Sequence, residues 1–360
     1  ERKEGTTESQ IMALRKQKLD DLRKSGDFYA NDFKRDSLAT DLIAWSEGMS
    51  PNDLEMSEKR FSIAGRLMTK RVMGKASFAH VKDMSGMIQI YLTRDGLGEE
   101  DYAAFKKWDL GDIVGVSGKI FRTRKGELSV AVDAIRLLTK SLRPLPEKWH
   151  GLSDTEIRYR QRYLDLIMND DVRRIFKIRS RIIEKIREFL LAQGYLEVET
   201  PMMHPIPGGA TARPFITKHN SLDMQLYLRI APELYLKRLV VGGFEKVFEI
   251  NRSFRNEGLS SRHNPEFTML EFYEAYATYE DLMSLTEQIL RDLVREILGS
   301  DAVLFQGKSY DFGKPFRRLT MVDAVMEFNP TVSHEGLLEK SILLKLASDL
   351  GLKTENAWGE

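Results

Sequence analysis

Arg255 is the residue whose type and setting best suit chemistry, because it lies in FRNEG, a short loop before RHNPEFTMLE. Its planar guanidinium can hold carboxylate and phosphate oxygens through two parallel hydrogen bonds, which a lysine ammonium cannot do. Strand-like runs flank it, KVFEINRSF before and PEFTMLEFYEAY after. The pattern therefore predicts an anion site carried by two strands and the loop that joins them.

Composition excludes several kinds of protein. The 360 residues are 42% hydrophobic and 30% charged, and no stretch approaches the roughly 18 consecutive apolar residues of a membrane span. There is no cysteine, and the six histidines lack metal-binding spacing, so we expect no disulfide and no metal site within the chain. The polar start does not resemble a secretion signal, which favours the cytoplasm. A net charge of +1 means that any nucleic acid must bind to local basic patches.

Residues 1–60 are predicted to be a helical extension. Apolar residues at near-helical spacing are Ile11, Leu14 and Leu22, basic residues surround them, and Gly26 is expected to end the first helix. A basic arm that touches an RNA backbone and a simple solvated helix both fit this pattern.

Residues 61–140 change to a strand pattern. The strand-like runs are FSIAGRLM, FAHVKD, MIQIYLT, DIVGVSGKIF and ELSVAVDAI, with turn signals between them. Five short strands in about 80 residues predict a small closed barrel, with an OB-fold as the leading candidate and an SH3-like barrel as the alternative.

Pro144 and Pro146 lie in a stretch that predicts a linker over residues 141–155. Mixed strand and helix patterns over residues 156–360 predict an α+β domain with an antiparallel or mixed sheet flanked by helices.

A long helix is predicted to begin at Asn169 or Asp170 and to stop at Gly194. Its buried stripe is predicted to be formed by Ile175, Ile182, Ile186, Phe189 and Leu190.

The long helix ending in GYLEVETP, followed by FRNEG and RHNPEFTMLE, resembles motifs 1 and 2 of the class II aminoacyl-tRNA synthetases. Downstream of an OB barrel, these motifs are similar to the subgroup that charges lysine, aspartate and asparagine. The wording IPGGATARPF and RIAPELYLKRLVVGG is most similar to lysyl-tRNA synthetases, over essentially the whole chain. The resemblance implies an ATP-dependent ligase that forms lysyl-adenylate and transfers lysine to the 3′ end of tRNA(Lys), with Mg²⁺ bridging the phosphates.

The resemblance implies an ATP site. Arg255 would bring the substrate carboxylate and the ATP α-phosphate together, since both are anions. Glu257 would accept a hydrogen bond from the adenine amino group, and Phe267 would stack on the base. The loop between the strands would contact the ATP phosphates and the tRNA acceptor end through Arg262, His263 and Asn264.

The resemblance also implies a lysine pocket. Glu233 would bind the α-ammonium, Arg255 the carboxylate, and Glu271 with Tyr273 the ε-ammonium, because a buried ammonium needs a carboxylate partner. Gly209 would let the backbone approach the substrate.

On the barrel, Phe78 and Gln89 resemble the pair that stacks on the anticodon bases and hydrogen-bonds to them. Arg66 and Glu127 are weaker candidates for the same surface. In the family, motif 1 builds the dimer interface, so Pro201 predicts a twofold homodimer.

The third motif of the family, a glycine-rich strand ending in an arginine that holds the ATP γ-phosphate, is not found before Glu360. We therefore expect weak or no adenylation by this 360-residue polypeptide alone. Two alternatives are an aspartyl or asparaginyl enzyme, which would need a cationic side-chain pocket, and a non-catalytic RNA-binding protein built on a synthetase frame.

Overall fold

The structure is a computed structural model that describes residues 7–24, 26, 30–146, 152, 154–260, 262–330 and 332–354. It divides into two compact units, Glu1–Asp170 and Asp171–Glu360. Residues 147–151 and 153 of the predicted linker lie outside the described residues, and the predicted domain limits stay predictions. Within the described residues, no helix is long and apolar enough to span a membrane.

The first unit contains a five-stranded barrel and short helices. The strands are β1 Arg60–Met73, β2 Ala76–Lys82, β3 Met87–Thr93, β4 Ile113–Arg122 and β5 Leu128–Thr139. The helices are α1 Glu8–Lys24, α2 Ala39–Trp45, α3 Pro51–Met56, α4 Arg94–Leu97, α5 Glu99–Lys107, α6 Thr155–Arg160 and α7 Arg162–Met168.

The barrel is closed in the order β1-β2-β3-β5-β4, with β3 and β5 parallel and the other neighbours antiparallel. Alternate residues point inward, as the strand period of two requires, and fill the interior. This core includes Ile63, Leu67, Ile90, Val116 and Val130, each at most 2% exposed. The predicted five-stranded barrel is thus confirmed, and its outward-facing residues form a separate, polar and aromatic surface.

Helix α1 confirms the helical reading of the first residues and ends at Lys24, before Gly26. Two of its basic side chains serve the protein itself. Arg15 is buried and donates from Nη1 to the carbonyls of Ser141 and Arg143, at 3.1 Å each, and Lys18 pairs with Asp109 at 2.8 Å. These contacts leave Arg15 and Lys18 engaged within the first unit and unsuited to an RNA-binding role.

The remaining elements belong to the second unit, apart from the first residue of α8. The helices are α8 Asp170–Ala192, α9 Glu233–Val241, α10 Tyr279–Leu298, α11 Met321–Phe328 and α12 Lys340–Asp349, with a 3₁₀ turn at Gly336–Leu338. The strands are β6 Leu196–Glu197, β7 Met203–His204, β8 Ile216–His219, β9 Met224–Leu228, β10 Lys246–Phe254, β11 Glu266–Glu274, β12 Ala302–Phe305 and β13 Lys308–Asp311.

The central sheet of this unit has the order β11-β10-β6, with β10 antiparallel to β11 and parallel to β6. A second small sheet has the order β7-β9-β8, and β12 pairs with β13. The predicted α+β class, with a mixed sheet flanked by helices, is confirmed. The strands β10 and β11 form the longest hairpin of the described second unit, and the residues of the predicted anion site lie at its loop end.

The C-terminal part of α8 packs on the sheet through apolar side chains. Leu190 is fully buried in a cluster with Phe248 of β10 and Ile289 of α10, and Ile186 and Phe189 pack against it. Ile175, predicted to be buried, is 62% exposed, because the first turns of the helix do not lie over this cluster. Gly194 has φ +81°, which favours glycine, and follows the last turn as predicted.

Candidate functional site

The β10–β11 hairpin positions Arg255 at the end of β10. Ser253 lies opposite Phe267 and Phe254 opposite Glu266 in the antiparallel ladder. The ladder continues one step further, since the backbone nitrogen of Arg255 donates to the carbonyl of Pro265 at 2.9 Å. The backbone of Arg255 is therefore fixed by the same hydrogen-bond pattern that fixes Phe267.

The Arg255 side chain lies over Phe267 and is incompletely paired. Its guanidinium carbon is 5.1 Å from the centre of the Phe267 ring, a favourable cation–π distance. Its Nε is buried, with no hydrogen-bond partner among the described residues. A buried guanidinium nitrogen without a partner is costly, so this atom indicates a place where an anionic ligand would be stabilised.

The glycine-rich stretch before β8 joins this hairpin. Asn256 donates from its backbone nitrogen to the carbonyl of Arg213 at 2.7 Å, and the nitrogen of Arg213 lies 3.4 Å from a Glu257 carboxylate oxygen. Gly209 has φ +87°, and a Cβ at this position would lie 2.9 Å from the Cβ of Glu233. Only glycine therefore fits there, and the stretch lies against both FRNEG and the start of α9.

Acidic groups gather around Glu271 on β11. Tyr273, two residues along the same strand face, donates to Glu271 at 2.9 Å. Burial raises the pKa of Glu271, and the charges of Glu233 and Glu249 raise it further, against the opposing effects of the Tyr273 hydrogen bond and of Arg229. Glu233 is paired with Lys237 one helical turn away. Glu271 itself has no ion-pair partner among the described residues, so this acidic group can receive the positive charge of a ligand.

A buried ion pair between Arg229 and Glu249 stabilises the backbone next to the site, and the sequence analysis did not single it out. Arg229 and Glu249 are 0% and 1% exposed and lie 2.8 Å apart. Thr200 donates to Glu249 at 2.6 Å and accepts from Arg229 at 3.0 Å. The carbonyl of Arg229 accepts from the Phe254 nitrogen at 2.9 Å. Arg229 thus links the motif 1 strand to the residue before Arg255, although no local sequence pattern distinguishes it from a surface arginine.

The loop from 255 to 265 exposes the other predicted ATP contacts. Arg262, His263 and Asn264 are exposed, and Nδ1 of His263 lies 2.7 Å from Oγ of Ser260. Pro201 is also exposed, next to the buried Thr200. The structure therefore gathers Arg255, Glu257 and Phe267 at the hairpin end and leaves the three loop side chains facing outward.

The barrel carries a second candidate site on its outer face. Phe78 lies opposite Tyr91, with ring centres 4.8 Å apart, and Tyr91 is 5.7 Å from Phe121. Beside this aromatic group, Gln89 donates to Glu127 at 2.7 Å. The structure thus brings together three of the four predicted anticodon residues on an aromatic surface suited to stacking bases.

Arg66, the fourth predicted residue, lies away from Phe78. It is paired with Lys82 in the β1–β2 register and donates to the carbonyl of Gly111 at 2.7 Å. The residue directly opposite Phe78 is Arg71, which is exposed. The sequence analysis missed Arg71, because the pairing register of β1 with β2, which includes a β-bulge between Leu67 and Thr69, has no clear sequence signal.

The family comparisons identify both domains of the chain. A family model described as tRNA synthetases class II (D, K and N) matches residues 154–353, and one described as an OB-fold nucleic acid binding domain matches residues 61–138. The chain belongs to the class II tRNA synthetase family. Its OB-fold is likewise shown, which removes the SH3-like alternative.

Bacterial relatives of this synthetase chain match along almost its whole length. A lysine–tRNA ligase of Thioalkalivibrio sulfidiphilus is 56% identical over 100% of this chain and 72% of its own length. Those of Idiomarina loihiensis and Coxiella burnetii are 60% and 57% identical over 97% and 98% of the chain, and over 69% and 71% of their own lengths.

Proposed function

We propose that this chain is a lysine–tRNA ligase, which activates lysine with ATP and transfers it to tRNA(Lys). The observation that carries the proposal is the β10–β11 hairpin, where Arg255 has a buried Nε with no partner among the described residues and Glu271 is half-buried beside Tyr273. An anion-binding group and a cation-binding group on one hairpin match a substrate that has a carboxylate and an ammonium. The names of the similar bacterial proteins support the same choice.

In the first step, a lysine carboxylate oxygen attacks the ATP α-phosphorus, and pyrophosphate leaves with the electron pair of the broken P–O bond. Arg255 neutralises the repulsion between the two anions and holds them in line. Phe267, already under the guanidinium, stacks on the adenine, and Glu257 accepts a hydrogen bond from its amino group. In the second step, the terminal ribose hydroxyl of the tRNA attacks the activated carbonyl and AMP leaves.

Lysine is recognised at both ends in this proposal. Glu233 binds the α-ammonium and gives up its internal pair with Lys237, while Glu271 and Tyr273 receive the ε-ammonium. The raised pKa of Glu271 reflects burial without a cationic partner, and the incoming ammonium supplies that partner. A pocket built for aspartate or asparagine would not combine these carboxylates, so the acidic pocket favours lysine.

Further partners follow from the proposed reaction. The anticodon of the tRNA would lie on the barrel face around Phe78, Gln89, Glu127 and Arg71, and the segment around Pro201 would contribute to a homodimer. Mg²⁺ would accompany ATP. The described residues contain no group of three or more His, Cys, Asp or Glu side chains that could hold a metal ion, so no step is assigned to it. The cytoplasm, where tRNA is charged, is the proposed location.

Calorimetric titration of the chain with lysine, aspartate and asparagine, each with ATP present, tests the proposal. We expect heat of binding for lysine alone. Binding of aspartate or asparagine with equal or higher affinity would contradict the assignment. Lysine-dependent exchange of labelled pyrophosphate into ATP gives the matching measurement of the chemical step.

A further inference from the structure

A chain of polar side chains crosses the outer barrel face beside the aromatic group. Oγ1 of Thr69 is 2.7 Å from Nδ1 of His80, and Nε2 of His80 is 3.1 Å from one Glu127 oxygen. The other Glu127 oxygen accepts from the Gln89 amide nitrogen at 2.7 Å, and the Gln89 oxygen accepts from Oγ of Ser129 at 2.8 Å. Five side chains thus form one continuous relay, which we call the barrel relay; four of them lie on β1, β2, β3 and β5, and Glu127 lies just before β5.

The direction of each hydrogen bond in the barrel relay is fixed by chemistry. An ionised carboxylate can only accept, so Glu127 takes its hydrogen bonds from the Gln89 nitrogen and from Nε2 of His80. In the tautomer of His80 that donates from Nε2 to Glu127 and accepts at Nδ1, the hydroxyl of Thr69 donates to His80. At the other end, the hydroxyl of Ser129 donates to the Gln89 oxygen; because a hydroxyl can also accept, it is Glu127 that requires the amide nitrogen on its side.

The barrel relay therefore determines which way the Gln89 amide faces. Gln89 is only 9% exposed, and a flip of its amide would set its oxygen against Glu127. One N–H and one oxygen lone pair remain for a ligand, in a fixed order. The sequence offered no signal for this arrangement, because the members lie up to 60 residues apart, from Thr69 to Ser129.

We propose, resting on the anticodon role of the barrel given above, that His80 anchored by Thr69 is a positioning residue that sets the base specificity of Gln89. His80 holds Glu127, and Glu127 holds the amide. Thr69 and His80 lie opposite one another in the β1–β2 register, and His80 lies opposite Gln89 in the β2–β3 register. Thr69, His80 and Gln89 thus lie on three paired strands, and Glu127, in the connection just before β5, joins His80 to Gln89.

The order of donor and acceptor distinguishes two pyrimidines. Lysine codons are AAA and AAG, so the anticodon that pairs with them contains uridines. The edge of uracil places a keto acceptor beside an N–H donor, whereas cytosine places an amino donor beside a nitrogen acceptor. A fixed amide complements one of these orders, and an amide free to flip complements both. Both rings stack equally on Phe78, so exchanging uridine for cytidine changes only the edge.

The experiment compares RNA affinities of the full chain at one salt concentration. The probes are the anticodon stem-loop of a lysine tRNA and three copies, each with one anticodon uridine changed to cytidine, measured by fluorescence anisotropy. We expect the unchanged chain to bind at least one cytidine RNA about 10-fold more weakly, in line with a well-oriented bidentate contact. We expect His80→Leu to reduce that ratio to about 2-fold or less, because Glu127 is then no longer held by His80, can turn away from Gln89 and leaves the amide free to flip.

Two conservative variants separate positioning from packing. The His80→Gln side chain can still donate to Glu127 and should keep most of the uridine preference. Thr69→Val keeps the shape of the side chain but removes its hydroxyl, and should lower the ratio part of the way. Thr69→Val also keeps the test decisive if His80→Leu folds poorly, which urea unfolding would reveal.

The outcomes distinguish the barrel relay from the anticodon role itself. Phe78→Ala should weaken binding of the unchanged stem-loop and of each cytidine copy by the same factor, and so preserve the ratio of their affinities. If Phe78→Ala leaves the affinity for all four RNAs unchanged, the anticodon role of the barrel is overturned. Two results would overturn only the inference about the barrel relay while Phe78→Ala acts as expected. In the first, His80→Leu and Thr69→Val keep the full affinity ratio. In the second, the unchanged chain binds all four RNAs equally.

Discussion

The two candidate sites are built from opposite arrangements of polar groups. On the barrel, each member of the relay from Thr69 to Ser129 has a hydrogen-bond partner within the protein. At the hairpin, Arg255 and Arg229 each keep a buried guanidinium nitrogen with no partner among the described residues, and burial raises the pKa of Glu271.

This difference follows from the ligands proposed for each site. Selecting a base edge depends on a fixed order of donors and acceptors, which a satisfied network provides. Binding ATP and lysine depends on charge that is already in place before the ligand arrives. A charged group that is buried without an oppositely charged partner destabilises the ligand-free protein. Other contacts must therefore stabilise the hairpin, and the buried Arg229–Glu249 ion pair is one of them.

Breaking that support should give the largest effect. Arg229→Met leaves Glu249 buried without its cation, so the free energy of local opening around the hairpin should fall by about 3–5 kcal/mol. Native-state hydrogen exchange of the β10 and β11 amides measures this. The matched control is Arg252→Met on the same hairpin, because Arg252 is half exposed and 3.7 Å from Glu266, and should cost at most about 1 kcal/mol.

The double variant Arg229→Met with Glu249→Gln tests whether the unpaired charge of Glu249 causes that loss of stability. Removing both charges should recover part of the loss, since no buried charge is then left unpaired. Equal protection of the hairpin amides in the single variant and in the unchanged chain would contradict the supporting role.

The anion site itself should respond next most strongly. Arg255→Ala should weaken ATP binding, and should slow by roughly 10²–10³-fold the weak lysine-dependent pyrophosphate exchange expected of this chain, the usual cost of losing one group that stabilises transition-state charge. Arg255→Lys should recover little, because an ammonium lacks the two-pronged geometry. Arg252→Ala is the control with unchanged exchange. Unchanged ATP affinity and exchange in Arg255→Ala would count against the hairpin as the ATP site.

The barrel face should show a smaller and separate effect. Phe78→Ala should weaken tRNA binding by about 1–3 kcal/mol, the usual contribution of one base stacked on an aromatic ring. Lysine activation should be unchanged, since Phe78 belongs to the first unit and the hairpin to the second. Parallel filter-binding and pyrophosphate-exchange assays on one protein preparation would check both, and joint loss would mean that the two sites are not independent.

The sequence predicted the parts of the fold that local patterns determine. The five barrel strands, the long helix and the hairpin follow from hydrophobic period, and the order of the two motifs located Arg255, Glu257 and Phe267. It did not reveal Arg229, whose role arises from contacts with Thr200 and Glu249, distant in sequence. It also did not single out Arg71, which the register of β1 with β2, shifted by the bulge in β1, places opposite Phe78.

The smallest predicted effect concerns the titration of Glu271. Its pKa in the folded protein is raised above the ordinary value of 4.5, mainly by burial. The folded state therefore holds this proton more tightly than the unfolded chain does. The stabilising contribution is complete below pH 4.5 and is lost as the pH rises through the raised value, with a slope of at most about 1.4 kcal/mol per pH unit for one group.

Lysine should reverse this dependence, because an ammonium beside Glu271 favours the ionised form. Lysine affinity should then fall as the pH drops through the raised pKa, and binding should release a fraction of a proton. Calorimetric titrations in two buffers of different ionisation enthalpy measure that release. In Glu271→Gln, which keeps the shape but cannot ionise, the release should disappear together with the pH slope of stability. If Glu271→Gln still released the same fraction of a proton, the cation-binding role would belong to Glu233. The contrast between the hairpin and the hydrogen-bonded barrel relay would then not depend on Glu271.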